Sequence, residues 1–375
     1  MTRFLVSFAL AASLAGCIDG TNPFDEEKTE ATTATTQTTT TTPAATTPAA
    51  TTPTETPATD TGTPIVSSVA TLPGTANPTS RTSIFRSEAK TEGGDGFAKG
   101  FVYDSANDTF TVDNIAFDGD KPYTAVLRDD GVTKVGMGPF SVFEAPATAT
   151  DQLTQATINQ LYGYRALYAI GPGGDTSIAI VRNGAYIPYG YGGYVFQRDG
   201  DVTLPTSGQA FYTGTNNYGG LRDFEGRGGL EYVKGDIQVA IDFDDFNDGA
   251  GVNGVVLNRQ VYDLTQVQTT PTLANPDPGN ITQDILDAIG GGVTALPVLR
   301  FKIGVGALDA NGELTGEVFS TDADGSGTFE DGNYYAILSG DNANTVTGII
   351  VVTGTDPRYS NTKFRETAGF FAERK

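Results

Sequence analysis

The chain has 375 residues, carries Lys+Arg 23 against Asp+Glu 45 for a net charge of −22, and contains no histidine, no tryptophan and one cysteine. That balance repels nucleic acid and anionic headgroups, so it argues against DNA or RNA binding and against membrane contact through a basic surface. Without histidine or a second cysteine, Ser-His-Asp and Cys-His catalysis, His or Cys zinc sites and intramolecular disulfides are excluded. Gly 47, Tyr 16 and Phe 21 favour short strands and tight turns over helices.

At the N-terminus, Arg3 precedes an apolar run from Phe4 to Ala12, too short to span a bilayer, that leads into Leu14-Ala15-Gly16-Cys17. This run resembles the lipobox of bacterial lipoproteins. The resemblance implies that residues 1–16 are a signal peptide and that Cys17 is the first mature residue, carrying palmitate-type acyl chains. Each buried methylene contributes roughly 0.8 kcal/mol, and two or more chains make a stable anchor. Ile18 stands where an aspartate would hold such proteins in the inner membrane, so the resemblance implies the outer membrane. Display at the cell surface is expected, with a periplasm-facing orientation as the alternative. An ordinary signal peptide with a chance cysteine is the competing reading.

Residues 17–80 read as the lipidated cysteine and a disordered Thr/Pro-rich tether. From Thr29 to Pro64 threonine dominates, with Thr-Thr-Pro-Ala-Ala at Thr41 and again at Thr46, and almost nothing bulky to bury. As a flexible coil, the roughly 60 residues from Thr21 to Ser80 would span about 45 Å. A bare spacer or an O-glycosylated stalk both fit the composition. Asp60-Thr61-Gly62 spells the aspartic-protease triplet, but that chemistry needs two buried carboxylates on a rigid turn, which such a stretch does not supply.

Two β-rich regions follow. Residues 81–204 form a smaller domain, with strands expected at Phe101 to Val112 around a polar turn, Tyr123 to Leu127, Tyr162 to Ile170, Ser177 to Val181 and Tyr191 to Gln197. Asp151 to Gln160 reads as a modest helix with Asp151 as its cap. Residues 205–375 read as strands at Gln209 to Thr215, Gly228 to Val233, Asp236 to Phe243, Gly251 to Leu257, Val298 to Ala307, Glu313 to Phe319, Asn333 to Leu338, Val346 to Thr353 and Thr367 to Glu373. Val346, Gly348, Ile350 and Val352 mix small and large residues on one face, as do Ala368, Phe370 and Ala372, which suits a tapered barrel interior. The fold expected is all-β: a closed antiparallel up-and-down barrel of about eight strands, whose closure removes exposed edges. One helix is expected at Ile281 to Ile289, beginning near Thr282 and stopped by Gly290-Gly291-Gly292.

Leu204-Pro205-Thr206-Ser207-Gly208-Gln209-Ala210-Phe211-Tyr212-Thr213-Gly214 and the ending Glu366-Thr367-Ala368-Gly369-Phe370-Phe371-Ala372-Glu373-Arg374 resemble the barrel of transferrin-binding-protein-like surface lipoproteins. Gly348, Gly354, Asp242-Phe243 and the turn at Gly249-Ala250-Gly251 fit the same barrel. The resemblance implies a handle-like domain beside a single barrel lobe, and a role in binding a solute or a protein, beside an outer-membrane partner. It carries over no ligand residues, and transferrin itself is not implied. The alternative is a structural or adhesive envelope lipoprotein with no small ligand.

Asp322-Ala323-Asp324-Gly325-Ser326-Gly327 places oxygen ligands at positions 1, 3 and 5 of a calcium-type loop with glycine at 6, but position 12 is Asn333, leaving Glu330 or Asp331 as substitutes. A solvated hairpin turn is the plainer reading, so no cofactor is assigned beyond a calcium candidate. Asp242, Asp244, Asp245 and Asp248 form a second acidic turn. Tyr186, Tyr189, Tyr191 and Tyr194, interleaved with glycines, are candidates for an aromatic contact surface or for packing between strands. Carboxylates alone do not define a glycosidase pair, and the protein is read as not an enzyme.

Overall fold

A computed structural model describes residues 69–375, except 92, 116–117, 120–121, 161–162, 186–187 and 247–248. Cys17, the Asp60-Thr61-Gly62 triplet and most of the tether lie outside these residues. Residues 69–80, assigned above to the tether, instead pack. Leu72 is buried, Ser87 N donates to Pro73 O at 2.9 Å, and Thr75 N donates to Phe85 O at 3.0 Å. The packed unit therefore includes residues upstream of Arg81, because Leu72 supplies a core side chain that composition averaged over the Thr-rich run conceals.

The first region contains β1 (Ile84–Ser87), β2 (Gly100–Asp104), β3 (Thr109–Asp113), β4 (Tyr123–Ala125), β5 (Gly136–Met137), β6 (Phe140–Glu144), β7 (Thr148–Thr150), β8 (Thr157–Asn159), β9 (Arg165–Ile170), β10 (Thr176–Arg182) and β11 (Gly192–Arg198). Apart from the β7–β8 hairpin they form one antiparallel sheet, in the order β1-β11-β10-β9-β6-β4-β3-β2 with β5 on β6. The helix expected at Asp151 to Gln160 is absent: this stretch is the loop and second strand of the β7–β8 hairpin. Asp151 does cap, but only a single turn, its Oδ1 accepting from Leu153 N and Thr154 N at 2.9 and 2.7 Å. An Asx turn satisfies these donors without a helix to continue.

Every residue of β10 is buried. Ile178 and Ile180 point into a core shared with the second region, while Ala179 and Val181 join Phe110, Phe143 and Val195 on the opposite face of the sheet. Phe110 and Phe143 stack there at 5.5 Å.

The second region contains β12 (Gln209–Phe224), β13 (Leu230–Phe246), β14 (Gly249–Asp263), α1 (Thr282–Ile289), β15 (Leu299–Phe301), β16 (Gly304–Val305), β17 (Glu313–Thr321), β18 (Thr328–Ser339), β19 (Thr345–Thr355) and β20 (Lys363–Arg374). Neighbours pair antiparallel in chain order, with β15 and β16 sharing one position on β14, and β20 pairs with β12 to close the wall. The expected closed antiparallel barrel of eight strand positions is thus what forms.

Strand limits differ at β12, β13 and β14. Asn216 and Asn258 adopt left-handed φ of 54° and 53°, and the ladders slip between Gly214 and Tyr218 and between Lys234 and Asp236. These are β-bulges inside long strands, where a sequence reading places turns. Asp236 ties them together, accepting from Asn216 N at 2.6 Å and from Asn258 Nδ2 at 2.7 Å.

The barrel interior is filled. Ile237, Val239, Val252, Leu314, Val346 and Phe370 face inward, and Phe301 stacks on Tyr334 at 4.1 Å with a 16° interplanar angle. Helix α1 runs where expected and sends Ile285 and Leu286 into this core, and Val261 N on β14 donates to Thr282 Oγ1 at 2.9 Å. Outside, Leu221, Ile337, Ile349 and Phe371 pack against Phe140, Leu167, Ile178 and Phe196 of the first sheet. Gly219 and Gly369, opposed across β12 and β20, leave a notch for Phe140: a Cβ at Gly369 would meet its ring at 2.7 Å. The glycine of the Ala368-Gly369-Phe370 ending is thereby explained by close docking.

Candidate functional site

Barrel strands alternate inward and outward residues, so charges two apart from core positions enter the interior. At the end formed by the β12–β13, β17–β18 and β19–β20 turns, this puts Arg222, Glu231, Arg259, Glu330 and Glu366 inside the barrel. Arg259 donates to Glu330 at 2.8 and 2.5 Å and to Glu366 at 3.2 Å. Ser320 Oγ donates to Glu330 at 2.6 Å, and Tyr218 OH donates to Glu366 at 2.5 Å. Arg358 bonds Asp356 at 2.7 Å and pairs with Glu231 at 2.9 Å, whereas Arg222 lies 3.5 to 4.0 Å from Glu231, Glu366 and Asp356.

Burial pushes the Glu231 carboxyl up despite Arg222 and Arg358 beside it. Burial would raise Asp356 as well, but the hydrogen bonds from Arg358 and the charge of Arg222 hold it below the usual carboxylate range. Burial, then Glu366, drives the Tyr218 hydroxyl well above its ordinary value, so it serves as a donor. Among the described residues, these groups and the stacked rings occupy the interior of this barrel end and fix strand register.

A second cluster joins the first sheet to the barrel. Arg182 is fully buried and bonds both Glu88 oxygens at 2.9 and 2.8 Å and Thr367 Oγ1 at 2.9 Å. Arg365 bonds Asp223 at 3.1 and 2.7 Å and also Asp95. Arg86 makes a bidentate pair with Glu313 at 2.6 Å. Among the described residues, Arg198 bonds only carbonyls, including Leu338 O at 2.8 Å and Asn311 O at 3.1 Å. The two regions are therefore one packed unit.

On the surface of the same barrel end, the β12–β13 turn, Glu225-Gly226-Arg227-Gly228-Gly229, meets the β19–β20 turn. The exposed Arg227 guanidinium lies 3.7 Å over the Tyr359 ring and 5.0 Å from Phe224, and Phe224 meets Tyr359 edge-on at 6.2 Å. Gly226 N and Gly229 N donate to Pro188 O and Gly184 O, which fastens this turn to the handle.

Among the tyrosine candidates, Tyr186 lies outside the described residues. Tyr194 is a core residue, Tyr191 packs edge-on against Phe97 at 5.6 Å, and Tyr189 is half-buried under Arg365 at 4.8 Å, its hydroxyl pushed up to about 12 by burial and then by Glu225. Tyr189, Tyr191 and Tyr194 pack, and among the described residues the candidates do not form one open aromatic surface. The calcium candidates are not brought together either. Asp322, Asp324 and Ser326 sit in the β17–β18 turn, where Ser326 N donates to Asp324 Oδ1 at 2.9 Å, while Glu330 points into the barrel and is held by Arg259. Helix α1 and the turns beside Asp322 and Asp324 border an open groove of about 540 Å³ that also touches Phe329 and Pro357. In the second acidic turn, Asp242 is buried and accepts from Gln209 Nε2 at 2.9 Å, and Asp244 is exposed. The sequence reading missed Arg222, Arg227, Arg259 and Glu366. The available signal was a charge two residues from a core position, as in Glu366-Thr367-Ala368 and Arg259-Gln260-Val261.

No family model and no curated protein sequence matches the chain. Among solved structures it is similar to transferrin binding protein B of Haemophilus parasuis Hp5 in a double-mutant and a single-mutant form, each with 12% identity and a TM-score of 0.33. These matches cover 74% and 77% of this chain and 45% of the other. It is also similar to the intact Ap-TbpB with its N and C lobes, at 13% identity and a TM-score of 0.31, over 78% of this chain and 46% of that one. The chain spans under half the length of these proteins, which are the ones the sequence motifs resemble.

Proposed function

We propose that the protein is an outer-membrane, lipid-anchored binding module that displays one handle-plus-barrel lobe at the cell surface and takes a protein ligand on its exterior. Cys17 supplies the anchor and the Thr/Pro-rich stretch the reach. The observation that carries the binding half is the filled barrel: Phe301 stacked on Tyr334 and the ion cluster around Arg259 leave contacts to outer surfaces such as the Arg227 turn. No catalytic role is assigned. Cys17→Ser should move the full-length protein from washed membranes to the soluble fraction and end acyl labelling; persistence on membranes without detergent would defeat the anchor. Cells carrying the native protein should retain a discrete soluble protein partner that cells lacking it do not. A small solute that raises Tm by many degrees would redirect the reading to solute binding, and no retained ligand of either kind would favour the structural or adhesive alternative.

A further inference from the structure

Resting on that binding reading, we infer that the β12–β13 turn is a carboxylate-binding site that accepts an acidic side chain of a protein partner. Four features meet there. The backbone φ is +73° at Gly226, +70° at Gly228 and +105° at Gly229, while Arg227 between them is not left-handed. Successive amides with φ of alternating sign converge on a shared concavity suited to an anion. Of those amides, Gly226 N and Gly229 N are used to hold the turn to the handle, at 3.2 and 3.0 Å from their acceptors, whereas Arg227 N and Gly228 N make no hydrogen bond among the described residues.

Arg227 itself supplies the charge. Seven arginines, at 86, 165, 182, 222, 259, 358 and 365, are each paired with a carboxylate. Arg227 is exposed and has no ion pair or hydrogen bond among the described residues, in a chain of net charge −22. Stacking on Tyr359 holds the guanidinium plane and leaves its edge, the fork that matches a carboxylate. Lys363, whose carbonyl accepts from Glu225 N at 2.9 Å, adds a second exposed cation to the same pair of turns. Glu225 is the one acidic residue of the turn and opposes an incoming anion.

The ring faces decide the source of the carboxylate. Tyr359 is covered by Arg227, has Arg358 at 5.1 Å and meets the edge of Phe224. Among the described residues, the rings of this turn pair are thus already engaged by guanidinium groups and by each other, which favours an acidic side chain over an acidic sugar that would have to stack.

The test uses the full chain labelled with 15N at glycine and arginine and titrated with a capped tetraglutamate peptide. Saturable shifts at the Gly228 and Arg227 amides and the Arg227 Nε, weakening as salt rises, are the expected result. Arg227→Ala and Arg227→Lys should each lower affinity by about tenfold or more, since lysine lacks the fork, and Glu225→Gln should raise it. Unmoved signals at peptide excess, or equal binding by Arg227→Ala with an unchanged melt, would overturn the site. Tighter binding of glucuronate than of the peptide would overturn the protein source. Neither of those outcomes alters membrane release by Cys17→Ser or partner retention by cells, so this site and the broader reading fail separately.

Discussion

Inside the barrel end, Arg222, Arg259 and Arg358 face Glu231, Glu330, Asp356 and Glu366; at the seam, Arg182 and Arg365 face Glu88, Asp95 and Asp223. Each cluster holds one carboxylate more than it has arginines, with Asp95 at the seam only half-buried, yet they are built differently. In the barrel the ladder sets the positions: Arg222 is the register partner of both Glu231 and Glu366. Its contacts stay loose, and its Nε and Nη1 have no hydrogen-bond partner. At the seam Arg182 on β10 grips Glu88 with a two-pronged bond and no ladder between them, while Arg365 grips Asp223, its register partner on β12, with another. A shared register therefore does not decide the quality of an ion pair: on the same β12–β20 ladder Arg222 stays loose beside Glu366, and Arg365 binds Asp223 in two-pronged fashion.

Removing one cation from each cluster tests that distinction with the largest effects. Arg259→Ala strands Glu330 and Glu366 inside the barrel and should cost about 3–5 kcal/mol, the range for breaking a buried pair. It should lower the melt as a single cooperative transition. Arg365→Ala leaves Asp223, its partner on the β12–β20 ladder, with Arg182 at 4.0 Å and breaks the link to Asp95 of the first region, so it should weaken docking of that region on the barrel and split the calorimetric transition in two. Two transitions in Arg259→Ala, or one in both variants, would erase the contrast.

The excess carboxylates give a smaller, pH-dependent effect. Burial raises Glu231 in the barrel and Asp223 at the seam, in each case against the pull of neighbouring arginines. A carboxyl with a raised folded pKa contributes stability that is fully present below its unfolded pKa and is lost as pH rises through the folded one. For Glu231 the loss begins near the ordinary value of 4.5 and runs upward from there. Tm should therefore decline from mild acid toward neutral pH, and Glu231→Gln should flatten part of that decline. Asp223→Asn should act with the same sign. Asp95 and Asp356, both lowered although burial opposes it, contribute the reverse: their stability is lost as pH falls below about 3.8. A Tm profile of Glu231→Gln parallel to that of the native chain would show that the barrel cluster holds no such proton.

The sequence revealed the barrel because each inward run kept its period of two, as in Val346, Ile350 and Val352 or Ala368, Phe370 and Ala372. It hid the strand lengths because Asn216, Gly235 and Asn258 carry turn chemistry and are used here as bulges. The handle was less legible: β1 and β6 are short and interrupted by no repeating signal, and Asp151 caps a hairpin loop as readily as a helix. The ion clusters escaped because pairing depends on which strands become neighbours, and no single strand records that. Asp236 offers a check of intermediate size. Asp236→Ala removes both bonds that tie the bulges on β12 and β14 and should cost about 1–2 kcal/mol, with backbone exchange increasing around Asn216 and Asn258. Unchanged exchange at those two residues would mean that the bulges are set by the backbone alone.

The smallest effect is expected at the other glycine turn of the same barrel end. Asp324 is exposed, and its carboxyl is held low by the hydrogen bonds from Ser326, so the calcium-like spacing is already satisfied by the turn's own donors. The residue that would complete a calcium shell, Glu330, is turned inward by Arg259 and Ser320, and recovering it for an ion would break the barrel cluster. Asp324→Ala should therefore leave the melt of the full chain unchanged, and millimolar calcium should shift neither protein. A ligand bound only by the folded state raises Tm through linkage, by about 2.7 kcal/mol at a hundredfold excess over its dissociation constant. A calcium-dependent rise in the native chain that disappears in Asp324→Ala would show that the loop binds the ion with ligands other than Glu330. It would also place an acidic cation site at the same barrel end as the basic Arg227 turn.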